Sequence, residues 1–145
     1  MKPTLEHIRE RTLDELEGVS SVAGDSYLLS EMRRLRRVPL REFRLEDLRL
    51  LIGQSIGLSY LVPMALSHLQ EHPLASGHFY PGDLLKQLMA VDEAFWAGHA
   101  DLRAILVVAL ERALPRVRKV KAPPELEGAI KASLERHRSA PSHAV

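Results

Sequence analysis

Leu50-Leu-Ile-Gly53-Gln-Ser-Ile-Gly57-Leu-Ser-Tyr-Leu-Val-Pro63-Met-Ala-Leu-Ser-His-Leu-Gln70 holds no Asp, Glu, Lys or Arg across 21 residues. An uncharged run of that length is either buried helical core or a membrane span, because about 20 apolar residues cross a bilayer. Gly53 and Gly57 have the GxxxG spacing of packed membrane helices. Against a span stand Gln54, Ser55, Ser59, Ser67, His68 and Gln70, together with Pro63, which make insertion costly. Two buried helices separated by a glycine break fit better. Leu58, Leu61, Val62, Ala65 and Leu69 recur at helical spacing as far as His72, and Pro73 closes the segment. Pro63 inside it predicts an irregular first turn or a kink.

Upstream of this run, Leu45 to Ile52 reads as a helix with Leu48, Leu51 and Ile52 on one side and Glu46 and Asp47 in its first turn. Before it, Asp25 or Ser26 can cap a helix reaching Arg37, stopped by Pro39. Thr4 to Glu17 reads as one helix through Leu5, Ile8, Leu13 and Leu16, ended by Gly18. Downstream, 73–80 is a loop, and Pro81-Gly82-Asp83 opens a helix to about Ala90. Asp101 to Leu114 carries apolar residues on several faces, which predicts the most apolar, central helix, ended by Pro115. Arg116 to Lys121 is a basic connector, and Pro123-Pro124 lead into a last helix, Glu125 to about Arg138. No strand pattern or repeat survives. The expected fold is an all-α bundle of about six or seven helices in one domain, 1–138, with 139–145 as a frayed tail.

Composition narrows the function classes. There is no Cys, which removes disulfides and thiolate chemistry and suits a reducing cytosol. The net charge is +1, so the overall balance marks neither a nucleic-acid binder nor an acidic mimic. The charge is zoned, however: residues 1–30 sum to −3, 31–50 to +3, 51–100 to −3 and 101–145 to +4. Such zones are either solvated faces or a means of orienting a charged partner.

Four local patterns are candidates for a site. His68-Leu-Gln-Glu71-His72 matches H-x-x-E-H, the zinc word of inverzincin peptidases, with His78 the only nearby third ligand. Its bland reading is an exposed helix end. Arg33-Arg34-Leu35-Arg36-Arg37 could meet phosphates, an acidic protein surface, or only solvent and nearby Glu31 and Glu42. His78-Phe79-Tyr80-Pro81-Gly82-Asp83 places two aromatics beside a turn, either as a protein anchor or as a core plug with a capping Asp. Trp96 reads as a lid on the core. No catalytic constellation is present: there is no Gly-rich phosphate loop and no G-x-S-x-G. The paired carboxylates Asp14/Glu15, Glu46/Asp47 and Asp92/Glu93 are adjacent, and neighbours on a helix do not face each other. No cofactor motif is found.

A set of words in fixed order carries a resemblance. They are Leu13-Asp-Glu-Leu-Glu-Gly18, Asp25-Ser-Tyr-Leu28, Leu35-Arg-Arg-Val-Pro-Leu40 and Glu46-Asp-Leu-Arg49, then Ile52-Gly-Gln-Ser-Ile-Gly-Leu58, Tyr60-Leu-Val-Pro63 and Phe79-Tyr-Pro-Gly-Asp-Leu-Leu85. Together they resemble the immunity proteins of bacterial contact-dependent growth inhibition systems. Three positions depart from the family's pattern: Arg44 stands for the usual capping Thr, Ser55 for Asn, and His78 for Asp. The resemblance implies a cytoplasmic, non-catalytic inhibitor that blocks the toxin domain of a large exoprotein. Charge and loop placement nominate Arg33, Arg36, Arg37, His78, Phe79, Tyr80 and Asp83 as toxin-facing residues. The alternative is a nucleic-acid-binding regulator that uses Arg33–Arg37.

Overall fold

The computed structural model describes residues 5–19 and 24–140. The described residues form α1 (Leu5–Arg9), α2 (Leu13–Glu17), α3 (Tyr27–Leu35), α4 (Leu45–Gly53), α5 (Leu58–Glu71), α6 (Asp83–Met89), α7 (Glu93–Ala97), α8 (Ala100–Ala113) and α9 (Glu125–Arg138), with 3-10 turns at Leu40–Glu42 and Leu114–Lys119. No strand occurs among them, and six of these α-helices are seven residues or longer. No helix among the described residues is long and apolar enough to cross a membrane.

The uncharged run is core. It is split where expected, between α4 and α5. The N–H groups of Gln54 and Ile56 turn back to the carbonyl of Leu51, and that of Ser55 to Ile52, closing α4. Gly57 then sits at φ +63, a conformation that side chains resist, and a Cβ there would stand 2.9 Å from Leu13. Ser55 holds φ +57, also left-handed, without glycine's freedom. Replacing Ser55 by Asn or Gly is therefore expected to stabilise the fold by about 0.5–1 kcal/mol, read from the urea midpoint; an unchanged or lower midpoint would contradict the strain argument. In α5 both Tyr60 and Leu61 donate to the carbonyl of Gly57, so the first turn is irregular and the helix runs on through Pro63.

One expected helix differs, and one helix is additional. The segment from Thr4 to Glu17 is two helices rather than one; Thr4 itself lies outside the described residues. The break is a capping box. Glu15 N–H donates to Thr12 Oγ1 at 3.1 Å, and Thr12 N–H donates to Glu15 Oε1 at 3.2 Å. Asp14 N–H then reaches the carbonyl of Arg36, docking α2 on the end of α3. The chain also coils where no helix was expected, at α7, which delivers Trp96 into the core at 1% exposure.

Leu61, Val62, Met64, Ala65, Leu66 and Leu69 of α5 are buried, against Leu106, Ala109, Leu110 and Ala113 of α8. The most buried helix is thus α5, not α8, whose Val108 is half exposed. These two helices pack together, α9 covers α8 and α6, and α4 packs on α5 and α6. Pro115 ends the α-helical hydrogen bonding but not the coiling, because 114–119 continues as a 3-10 turn with Val117 buried. One hydrophobic cluster runs from Leu13 to Leu134. Each fully buried Leu or Val contributes about 1.5–3 kcal/mol relative to exposure.

Trp96 meets Phe95 edge-on at 5.3 Å and His137 of α9 edge-on at 5.7 Å. Burial, with Arg136 and Arg103 close by, holds His137 below the ordinary imidazole range, so this ring is neutral at pH 7.

Candidate partner-binding loop

Residues 72–82 connect α5 to α6, and two carboxylates hold them. Asp83, the first residue of α6, is 2% exposed. Its Oδ1 accepts the N–H of Gly77 at 2.6 Å, and its Oδ2 accepts those of Phe79 at 3.0 Å and Tyr80 at 3.4 Å. The remaining N–H, that of His78, donates to Glu46 Oε1 of α4 at 2.9 Å. Four consecutive backbone donors, Gly77 to Tyr80, are therefore all satisfied by carboxylates. The base of the loop is closed by Gly82 N–H to the Leu74 carbonyl at 3.0 Å. Gly82 sits at φ +93, and a Cβ there would stand 2.7 Å from Leu126 of α9, so this corner admits only glycine.

Glu46 has a second task. Arg49, one turn on, donates to it through Nε at 2.7 Å and Nη2 at 2.6 Å. Both side chains are only 14% exposed. The Arg49 hydrogen bonds, aided by the His78 N–H, hold the Glu46 carboxyl below the usual carboxylate range, and Glu46 holds Arg49 in its charged form. The Arg49 guanidinium lies 4.4 Å from the centroid of the Phe79 ring. Phe79 is nevertheless 68% exposed. The loop thus displays an aromatic ring whose backbone is fixed from below and whose face rests on a paired cation. The His78 side chain is 63% exposed, its Nδ1 3.9 Å from Glu46. Tyr80 is half-buried, with Lys86 5.9 Å from its ring centroid.

Thus His78 and Phe79 face solvent, while Asp83 lies beneath them as the brace. The basic run is arranged differently. Arg36 is 11% exposed and binds Asp14 at 2.9 Å and Glu17 at 3.1 Å, with its Nη2 on the carbonyl of Gly18. Arg33 donates to the carbonyl of Gly24 at 2.7 Å, and Arg34 pairs with Glu31 at 2.8 Å. Arg37 is the most exposed of the run, at 73%, with its Nε at the edge of pairing distance, 4.0 Å, from Asp14. Arg44, where a capping Thr was expected, leaves half a capping box: Asp47 accepts its N–H at 2.9 Å, and the guanidinium, which has no acceptor to return, pairs with Asp47 at 3.2 Å.

The histidine pair is not assembled. His68 lines a small hollow with Arg9, Met64, Ser67 and Glu71, whereas His72 caps α5 and lines a separate groove. Among the described residues no group of three His, Asp or Glu side chains is placed to hold a metal.

Sequence reasoning missed Glu46 and Arg49. Their i,i+3 spacing was readable as a helix-surface pair. Their contact with a loop 32 residues away was not. It joins the words Glu46-Asp-Leu-Arg49 and Phe79-Tyr-Pro-Gly-Asp-Leu-Leu85 into one structure.

The loop presents Phe79 as an exposed aromatic on a backbone braced by Asp83 and Glu46. Residues 12–106 of the 145 match the family of CDI (contact-dependent growth inhibition) immunity proteins, and the chain belongs to that family. No curated protein matches it.

Proposed function

We propose that this protein binds the C-terminal toxin domain of a contact-dependent growth inhibition exoprotein and silences it by steric block, in the cytoplasm of the cell that makes it. The family match over residues 12–106 carries this reading. The role calls for binding, not for catalysis by this chain. A toxin must be neutralised at low copy number, which requires tight association through an interface of roughly 1,600 Å² with a few anchors.

Of the residues nominated from sequence, Phe79, His78 and Arg37 are free to touch a partner, Tyr80 flanks them, and Arg33, Arg36 and Asp83 act by fixing the surfaces that do. The nucleic-acid reading draws less support, because Arg33, Arg34 and Arg36 are each engaged within the chain.

The test is a calorimetric titration with the C-terminal toxin domain of the cognate contact-dependent growth inhibition exoprotein. Nanomolar one-to-one binding that abolishes toxin activity is expected. Phe79→Ala should weaken binding at least 30-fold, about the 2 kcal/mol of an interface anchor, without lowering the melting temperature. An unchanged affinity would remove the loop from the interface; no binding by the unaltered protein would remove the function.

A further inference from the structure

The densest run of unpaired positive charge is not the one that stood out in the sequence. Between residues 112 and 121 there are five cations, Arg112, Arg116, Arg118, Lys119 and Lys121, and no acid. Arg118 pairs with Glu127 at 2.6 Å. Arg112 donates to the carbonyl of Gln70, tying α8 to the end of α5, and Arg116 donates to the carbonyl of Arg112. No carboxylate of the described residues pairs with Arg112, Arg116, Lys119 or Lys121. Two of the bonds just named go to backbone carbonyls, which orient the guanidinium groups and leave their charge uncompensated.

These cations form one wall of an open groove of about 390 Å³. Arg112, Arg116 and Lys119 stand on that wall; Pro73, Leu74, Ala75 and Val120 supply apolar surface, and Glu71 is the single acid at the edge. Val120 is 38% exposed. His72 also lines the groove but no Phe, Tyr or Trp does, so it offers little aromatic surface on which a base would stack. A basic wall over an apolar floor instead complements a peptide segment that alternates carboxylates with aliphatic side chains.

We infer that this groove is a second docking site for the toxin domain and that it receives an acidic, aliphatic-containing segment of it. The inference rests on the proposed immunity role. The apolar side, Pro73 to Ala75, lies within the family match and the cationic wall lies beyond residue 106, so the charge that selects a partner sits on the portion of the chain outside the shared motif.

The experiment titrates the same toxin domain against Arg116→Glu, Lys119→Glu and the double variant, with Lys131→Glu on α9 as a charge control. Arg116 and Lys119 are both exposed, and circular dichroism with a melting curve confirms the fold; Arg116→Gln/Lys119→Gln repeats the test without new negative charge. The double variant should bind at least tenfold more weakly, with a flatter salt dependence, and Lys131→Glu should change affinity less than twofold. If the unaltered protein binds and the double variant binds equally well, the groove is not a docking site and the immunity role stands. Equal weakening by Lys131→Glu would reduce the effect to net charge and overturn the site. Failure of the unaltered protein to bind overturns both. Duplex and single-stranded oligonucleotides form the last arm: binding at physiological salt that the double variant abolishes would assign the groove to nucleic acid instead.

Discussion

Replacing Asp83 by alanine is expected to lower the stability of this protein by about 3 kcal/mol and its affinity for the toxin domain at least tenfold. The carboxylate is buried and has no water to fall back on; its partners are the N–H groups of Gly77, Phe79 and Tyr80. Hydrogen bonds to a charged group contribute about 1.5–3 kcal/mol each, and part of that returns when a freed loop N–H meets solvent. Alanine removes both oxygens. Asparagine keeps one acceptor, and because Gly77 and Phe79 use different oxygens, Asp83→Asn should lose about half as much. The affinity falls because Phe79 then has to be ordered on binding, where the intact loop already holds it. Urea denaturation and calorimetry of the two variants provide the check. A melting temperature within a degree of the unaltered protein for Asp83→Ala would show that the loop is held by something else.

Trp96→Ala should have the larger effect on stability alone, about 3–5 kcal/mol, a fall of roughly 10–15 °C in melting temperature. Trp96 is the bulkiest of the fully buried side chains, and it fills the space between Phe95 and His137. Its Nε1 finds no acceptor among the described residues. Trp96→Phe therefore forfeits volume but no hydrogen bond and should lose only about 1–2 kcal/mol. Trp96→Ala should also expose His137 to water, which would remove the main cause of its depressed pKa. If Trp96→Phe proved as damaging as Trp96→Ala, the indole N–H would have a role that its surroundings do not reveal.

Helix ends were legible where a local rule sets them: Ser26 caps α3, Gly57 breaks the uncharged run, and Thr12-x-x-Glu15 is a capping box that the apolar spacing of Leu5 to Leu16 concealed. The helix of Trp96 was hidden because five residues are too few to show a period. The site was half legible. A loop with Phe79 and Tyr80 beside a turn was visible as a candidate, but its brace from Glu46 is a contact between distant segments. The two basic runs looked alike as strings. Their difference lies in what folds opposite them: Asp14 and Glu17 against Arg36, and only carbonyls against Arg112 and Arg116.

The contact of Gly82 with Leu126 has a further consequence. The corner that supports the Phe79 loop backs onto the last helix of the described chain, so the packing behind the loop is completed only when α9 has docked. At about 5–20 residues per second of synthesis, the loop and its braces Asp83 and Glu46 are translated before the α9 residue that backs Gly82. A chain ending before Glu125 would lack Leu126 behind Gly82 and is expected to hold the loop less firmly.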